Sequence, residues 1–181
     1  MSSFRDQYLK VGRQTIARDL KISNIMAVPQ LIKVVINVSL GEALSNKKAV
    51  ETVMNQISLI TGQKPVATRA RKDISTFKLR KGEIVGVKVT LRAGKMYDFV
   101  EKLIKIVLPR IRDFRGISLG GFDGQGNYTL GLSEQIVFPE IDMSKIDKAR
   151  GLEITMVTNA GKEGTKKLME NLGFPFMKVR K

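Results

Sequence analysis

The chain has 181 residues, with 32 Lys and Arg against 17 Asp and Glu, and a formal net charge of +15. It contains no Cys, His or Trp, which excludes disulfides, zinc fingers and catalysis by Cys or His. Hydrophobic residues make up 43% of the sequence, enough for a buried core, and the length suits one domain over residues 1–181. Carboxylate, Lys, Ser/Thr or Tyr chemistry stays open, as does the absence of any chemistry.

The sequence gives no sign of a membrane span or a signal peptide, because no segment approaches the ~18 apolar residues that a span needs. We therefore expect a cytoplasmic chain. Its positive charge lies mostly in residues 61–120, which hold 15 basic and 5 acidic residues, whereas residues 121–147 hold one Lys and five acids. A charge excess of this size on a folded chain indicates a polyanionic partner, usually nucleic acid and less often a membrane.

The first half of the chain predicts a helix, a strand and a second helix. Apolar residues near helical spacing predict an amphipathic helix over 4–21. The β-branched run 31–40 predicts a strand with Lys33 and Asn37 on one face. A helix over 47–61 follows, with Ser45 or Asn46 as its N-cap and Gly62 as its stop.

The clearest strand is 84–92, with one apolar face and one polar face that includes Thr90 and Arg92. Gly94 then precedes a helix over 95–107 that Pro109 closes, and its predicted apolar stripe is Met96, Phe99, Leu103, Ile106 and Val107. A strand over 152–159 and a helix over 162–172 complete the chain. We therefore expect an α+β fold: a single domain with a largely antiparallel sheet, helices packed on one face and a long basic loop over 69–81.

Two motifs invite enzymatic interpretations. The run GGFDGQGN (120–127) lacks both the Gly-Lys pair of a P-loop and the third glycine of GxGxxG, so a turn-rich loop is favoured over a nucleotide site. The acids Glu134, Glu140, Asp142 and Asp147 could form a two-metal nuclease site, yet their spacing does not require it. A solvated loop, or a helix over 143–149 with acids near its start, explains them equally well.

The basic stretch 64–81 is more informative, because Arg and Lys alternate there with hydroxyl residues and Phe77. Cations, hydroxyl donors and a stacking ring on one loop suit contacts with the phosphates and sugars of structured RNA. Composition favours a polyanion here but does not choose between RNA, DNA and lipid.

Three long motifs resemble one family. They are TGQKPVATRARKDISTFKLRKGEIVGVKVTLR (61–92), LPRIRDFRGISLGGFDGQGNYTLGLSEQIVFPEID (108–142) and RGLEITMVTNA (150–160). In this order they resemble the bacterial fifth large-subunit ribosomal protein family, which binds 5S ribosomal RNA. The resemblance is collinear from about Val28 to Phe176. It implies a non-catalytic protein without cofactor, metal or small-molecule substrate, which attaches 5S ribosomal RNA in the central protuberance.

The resemblance also implies three contact regions. The sheet face that binds 5S ribosomal RNA would include Asn37, Gln63, Lys64, Thr90 and Arg92. The basic loop would reach the peptidyl-site tRNA through Arg69, Arg71, Lys72, Phe77, Lys78, Arg80 and Lys81. An inter-subunit bridge to a small-subunit head protein would use Phe122, Asp123, Asn127, Tyr128, Glu140 and Asp142. Large-subunit ribosomal RNA is a further implied partner.

The chain departs from the family pattern at 36–43, where INVSLGEA replaces an NMGVGEA-like run, and at 117–126, where Gly120 and Gln125 stand at positions that are often basic.

Two other functions are possible beside the ribosomal one. A metal-dependent RNA-processing enzyme would use the carboxylates between Glu134 and Asp147. A peripheral membrane protein is disfavoured, because no helix combines a strong apolar face with a basic one.

Overall fold

The computed structural model describes residues 4–44, 46–142 and 146–177. The described residues form one antiparallel sheet of five strands with the spatial order β2-β3-β1-β5-β4. The strands are β1 (Leu31–Ser39), β2 (Val66–Arg69), β3 (Ile84–Leu91), β4 (Tyr128–Leu132) and β5 (Leu152–Thr158). β2 pairs with β3 so that Val66 lies opposite Lys88 and Thr68 opposite Gly86.

Four helical regions accompany the sheet in the described part of the chain. Helix α1 covers residues 4–19 and α3 covers 93–110, and each contains a π-helical turn, Tyr8–Gly12 in α1 and Leu103–Val107 in α3. Helix α2 is Lys47–Thr61 and α4 is Lys162–Leu172. Short 3₁₀ turns are formed by Ile25–Ala27, Gly41–Leu44, Ser75–Phe77, Leu119–Gly121 and Gln135–Val137.

The chain divides into two compact units. Unit 1 contains residues 1–34, 92–130 and 155–181, and unit 2 contains residues 35–91 and 131–154. Strands β1, β4 and β5 each contribute residues to both units.

Unit 2 is a helix packed on a sheet. Asn46 begins α2 by accepting a 3.3 Å hydrogen bond from the Ala49 amide, and Gly62 ends it in the left-handed region at φ 63°. Helix α2 packs on β3. The apolar side chains between them are buried, and they are Val50, Val53, Ile57 and Ile60 on α2 and Val87, Val89 and Leu91 on β3.

Unit 1 is built around the three other helices. Helix α1 contacts both α3 and α4. The Tyr8 ring stacks on Tyr97 with centroids 5.9 Å apart, and its hydroxyl donates a hydrogen bond to the carbonyl of Pro29. Burial raises the pKa of the Tyr8 hydroxyl. In the same unit, the Thr158 and Thr165 hydroxyls lie 2.6 Å apart and join β5 to α4.

The α+β fold with a largely antiparallel sheet is confirmed, and so are the bounds 47–61 and 162–172. Of the two N-cap candidates, Asn46 caps α2, while Ser45 lies outside the described residues. Several details were wrong. Helix α3 begins at Ala93 and includes Pro109, and Ile106 is 43% exposed because the π turn rotates it out of the apolar stripe. The proposed helix over 143–149 is absent from residues 146–149, and residues 143–145 lie outside the described part.

Candidate nucleic-acid interface

A polar face covers the unit 2 part of the sheet. Along much of β1, β3 and β5, buried residues alternate with half-buried or exposed residues, which lie on the side of the sheet away from α2. We call the exposed side the polar face, and its polar members are Asn37, Ser39, Thr68, Lys88, Thr90 and Glu153. Neighbouring strands β1 and β5 are joined across this face, where the Asn37 side-chain amide donates a 3.3 Å hydrogen bond to Glu153 Oε2.

Gln63 lies in the turn that follows α2, and its side chain is bonded to the end of β3. The Thr61 hydroxyl donates to the carbonyl of Ile57 at 2.7 Å and accepts from the Gln63 amide at 3.3 Å, which fixes the turn after the helix. The Gln63 side chain then donates a 3.1 Å hydrogen bond to the main-chain carbonyl of Thr90. Two residues predicted to contact RNA are therefore brought together, although 27 positions separate them.

The two cations of the predicted 5S contact set, Lys64 and Arg92, are exposed, and so is the nearby Lys88. Lys64 directly follows Gln63, and the buried Pro65 leads the chain into β2. Arg92 directly follows β3, and it occupies the N-cap position of α3 with an exposed side chain. Lys88 lies exposed on the polar face of β3.

The segment between β2 and β3, residues 70–83, carries the predicted tRNA-contacting cations except Arg69, which is the last residue of β2. A long extended loop is not confirmed, because this segment folds back on itself through a bridge between Ile74 and Leu79. The Lys81 amide donates to Asp73 Oδ1 at 2.6 Å and the Arg80 amide to Glu83 Oε2 at 2.7 Å. These local bonds satisfy the backbone and stiffen what we call the basic hairpin.

Side chains of the basic hairpin point into solvent. Arg69 is bound at its base, where Nη1 donates a 2.8 Å hydrogen bond to the carbonyl of Gly82. The other predicted contact residues are exposed: Arg71, Lys72, Phe77, Lys78, Arg80 and Lys81. Phe77 is 71% exposed beside Lys78, whose backbone is left-handed at φ 50°. A ring presented in this way is available for stacking.

The glycine-rich loop 120–127 is a self-capped turn. Oδ1 of Asp123 accepts from the amides of Gln125 at 2.9 Å and Asn127 at 2.8 Å, and Oδ2 accepts from Asn127 Nδ2 at 2.7 Å. Hydrogen bonds from Asn127 lower the pKa of the Asp123 carboxyl. The carboxylate thus occupies the amide donors that a phosphate would need, which favours the turn-rich interpretation over a nucleotide site.

Aromatic rings pack beneath this loop, on the side away from solvent. Tyr128 is 1% exposed and its hydroxyl donates a 2.7 Å hydrogen bond to the carbonyl of Ser118. The half-buried Phe122 lies edge-on to Tyr128 with centroids 4.7 Å apart, and it stacks on Phe176 at 6.0 Å. Burial raises the pKa of the Tyr128 hydroxyl. Phe122 and Tyr128 therefore shape the loop, while Asp123 stays exposed at its surface.

The described residues of the acidic segment, 121–142 and 146–147, assemble no metal site. Glu134 and Asp142 are exposed and Glu140 is half-buried. Within residues 4–44, 46–142 and 146–177, no group of three or more Asp or Glu is placed to hold a metal ion. The helices of the same residues also include none long and apolar enough to cross a membrane.

Asp147 instead belongs to an ion-pair network that sequence reasoning missed. The Arg150 guanidinium, only 6% exposed, donates two 2.8 Å hydrogen bonds to Asp147. It donates two more to Glu42 Oε1, at 2.9 and 2.8 Å. Arg150 lowers the pKa of Asp147 to about 2 and also lowers that of Glu42. Glu42 and Arg150 are 108 positions apart, so no local pattern could have revealed the pair.

Comparisons with known proteins show which family the chain resembles. The family model described as "Ribosomal protein L5" matches residues 24–80, and the model of the C-terminal part of the same ribosomal protein family matches residues 84–176.

Three relatives carry the same name, "Large ribosomal subunit protein uL5". The one from Chloroflexus aggregans is 53% identical over 173 residues, which is 95% of this chain and 96% of the relative. The one from Caldanaerobacter subterraneus subsp. tengcongensis is 54% identical over 179 residues, 98% of this chain and 100% of the relative. The one from Desulforamulus reducens is 50% identical over 180 residues, 99% of each.

These matches define a class first: the chain is a ribosomal protein, a structural component and not an enzyme. Within that class, it belongs to the ribosomal protein L5 family. The resemblance seen in its sequence is thereby confirmed, and the hypothesis of a metal-dependent nuclease is wrong.

Proposed function

We propose that this chain is a cytoplasmic, ribosome-bound constituent of the large ribosomal subunit that binds 5S ribosomal RNA and attaches it in the central protuberance. Its other partners would be large-subunit ribosomal RNA, the peptidyl-site tRNA and a small-subunit head protein. The observation that carries the proposal is the polar face of unit 2, where Asn37 and Thr90 lie on the open side of the sheet and Gln63 is bonded to the Thr90 carbonyl, in a chain with net charge +15.

The polar face suits folded RNA better than a small ligand. It is an open sheet surface on which the Asn37 amide is fixed by a hydrogen bond to Glu153 and the Gln63 amide by a hydrogen bond to the Thr90 carbonyl. Lys64, Lys88 and Arg92 add exposed positive charge for phosphates. The proposed 5S contact set would therefore be Asn37, Gln63, Lys64, Thr90 and Arg92, with specificity from shape and a few fixed donors.

A second surface, the basic hairpin, would contact the peptidyl-site tRNA. Its exposed cations suit phosphate contacts, and Phe77 offers a stacking face. The hairpin would contribute little to 5S binding, because Arg71, Lys78 and Arg80 belong to the connection between strands and not to the polar face.

A third surface, the acidic segment with the 120–127 loop, would bridge to a basic small-subunit head protein. Asp123 and Asp142 present exposed carboxylates to such a partner. Asn127 and the two aromatic residues Phe122 and Tyr128 would act by holding the loop, and the half-buried Glu140 would be a further acidic residue of the bridge. We further propose that both compact units belong to a single RNA-binding domain over residues 1–181, because three strands contribute to both.

The experiment that tests the proposal is titration of the protein with 5S ribosomal RNA and with an unrelated structured RNA of equal length, at two salt concentrations. We expect a clear preference for 5S ribosomal RNA that survives the higher salt. The salt slope should be roughly −0.7 to −0.9 on a log–log scale per phosphate neutralised. Equal binding to both RNAs that vanishes with salt would contradict the proposal.

A further inference from the structure

Glu153 is an exposed carboxylate on the surface that we propose for RNA. It lies on β5 between the buried Leu152 and Ile154, so its side chain belongs to the polar face. The other polar members of this face are neutral or positive. Among the described residues, Asn37 is the one whose side chain holds Glu153, through the 3.3 Å hydrogen bond to Oε2.

A carboxylate in this place opposes the binding of a polyanion. Phosphates that approach the polar face would be repelled by Glu153, and the repulsion grows as water leaves the interface. None of the ion pairs among the described residues neutralises this carboxylate, since neither Lys88 nor any other cation lies within 4.0 Å of it. The charge is therefore unfavourable for RNA binding in general, unless the RNA supplies hydrogen-bond donors at this point.

Unpaired bases are the RNA groups that supply such donors. Folded RNAs expose the Watson–Crick edges of bases in loops and bulges, where side chains can reach them. Guanine alone has two adjacent donors on that edge, N1–H and N2–H, which match the two oxygens of a carboxylate. The other bases place an acceptor beside their donor, and that acceptor would face the negative charge.

We infer that Glu153 is a specificity-determining residue of the RNA interface, whose carboxylate accepts hydrogen bonds from the Watson–Crick edge of an unpaired guanine. The inference rests on the proposed function. The hydrogen bond from Asn37 restricts the orientation of the Glu153 carboxylate before RNA binds. Less conformational entropy is therefore lost when the base binds. An RNA that presents a guanine here would donate hydrogen bonds to Glu153, while other RNAs would meet an unpaired negative charge. Glu153 would therefore discriminate between RNAs by repulsion as well as by attraction.

The test compares Glu153→Gln with the unchanged protein and with Glu51→Gln. Glu51 is an exposed residue of α2, so its substitution removes the same charge from unit 2 without touching the polar face. Each protein is titrated with 5S ribosomal RNA and with the unrelated structured RNA of equal length. Thermal unfolding of all three confirms that each is folded.

We expect Glu153→Gln to lose about 5- to 150-fold in its preference for 5S ribosomal RNA, the range expected for one bidentate base contact. Its affinity for the unrelated RNA should rise slightly, because a repelling charge is gone. Glu51→Gln should change both affinities alike and keep their ratio. Inosine can replace the guanines of 5S ribosomal RNA that the bound protein covers. This replacement should weaken RNA binding by the unchanged protein but not by Glu153→Gln, since inosine lacks the N2 amino group.

Three results would overturn the inference. Equal changes in both affinities for Glu153→Gln would make Glu153 only a repelling charge. A loss of preference that disappears when Mg²⁺ is replaced by monovalent salt would indicate a bound cation between the carboxylate and a phosphate. Absence of any 5S preference in the unchanged protein would overturn the proposed function itself, which distinguishes that failure from a failure at Glu153 alone.

Discussion

The side-chain amide of Gln63 donates a 3.1 Å hydrogen bond to the main-chain carbonyl of Thr90. The bond ends on the backbone, so the Thr90 hydroxyl is not its acceptor and Thr90→Ala leaves the bond intact. Removal of Gln63 and removal of the hydroxyl can therefore be separated experimentally. In the proposed interface both side chains also contact 5S ribosomal RNA.

We predict that Gln63→Ala combined with Thr90→Ala weakens 5S binding by about 5- to 150-fold, as expected for two lost hydrogen bonds of about 0.5–1.5 kcal/mol each. The fold should be kept, because both side chains are only half-buried. Filter binding measures the affinity, and thermal unfolding checks the fold. Each single variant should show part of the loss. Unchanged affinity in the double variant would remove these two residues from the interface.

For the basic hairpin we predict that substitutions leave 5S affinity nearly unchanged. Replacement of Arg71, Lys78 and Arg80 by Ala should leave 5S affinity within about threefold, because these cations lie outside the polar face, while translation by ribosomes that carry the variant should be impaired. Filter binding and a cell-free translation assay measure the two effects. The matched control replaces three exposed cations of the N-terminal region, Lys10, Arg18 and Lys21. A large loss of 5S binding specific to the hairpin variant would mean that the two surfaces are wrongly divided.

Sequence periodicity predicted the elements whose signals are local. Helix α2 has both a capping Asn46 and a stop at Gly62, and its bounds were predicted correctly. Strand β4 was missed, because its sequence YTLGL follows a glycine-rich loop and contains Gly131. Its pairing depends on a neighbour far along the chain, shown by the 3.2 Å contact between the hydroxyls of Thr129 and Thr155. Such cross-strand pairs stabilise a strand that its own propensity does not.

The part of the candidate site that lies within one strand was predictable from local periodicity. Alternation along β3 was enough to place Thr90 on a polar face. The link between Asn37 and Glu153 depends on β1 lying beside β5, 116 positions away. Spacing along a single chain does not define the order of strands in a sheet, so the carboxylate beside Asn37 becomes apparent only in the folded protein.

The network around Arg150 gives a stability prediction. Its guanidinium is buried and makes four hydrogen bonds to Glu42 and Asp147. Arg150→Ala should lower the free energy of unfolding by about 2 to 3 kcal/mol, toward the low end for a broken buried ion pair because both acids are partly solvated. Arg150→Lys should recover only part, since Lys lacks the planar fork. Urea unfolding at pH 7 measures both, and equal stability of all three proteins would contradict the prediction.

The same network predicts how stability depends on pH. Arg150 lowers the pKa of Asp147 from 3.8 to about 2 in the folded protein. A lowered folded-state pKa means that the ion pair stabilises the protein above about pH 4 and that this contribution is lost as the pH falls toward 2. Asp147→Asn should therefore unfold at lower urea concentration than the unchanged protein at pH 5, with the difference narrowing by pH 2.5. A constant difference across this range would show that Asp147 acts by packing and not by charge.

Two glycines of the 120–127 loop form a matched pair for a final prediction. Gly126 has φ 88°, and a Cβ there would meet the carbonyl oxygen of Ala160 and lie 2.5 Å from the carbonyl carbon of Gly161. Gly124 has open space around the same position. Gly126→Ala should therefore lower the free energy of unfolding by about 2 kcal/mol or more, from the left-handed backbone and the collision with the main chain.

Gly124→Ala should change the free energy of unfolding by no more than about 0.5 kcal/mol, since nothing opposes the added methyl group. Urea unfolding of both variants measures the difference, and a spectroscopic comparison of the folded states checks that the rest of the chain is unaltered. The loop needs Gly126 because the turn closed by Asp123 brings the backbone against the residues that follow β5. Equal stability of the two variants would show that the loop rearranges freely, and that its self-capped turn does not hold the surface proposed for the small-subunit partner.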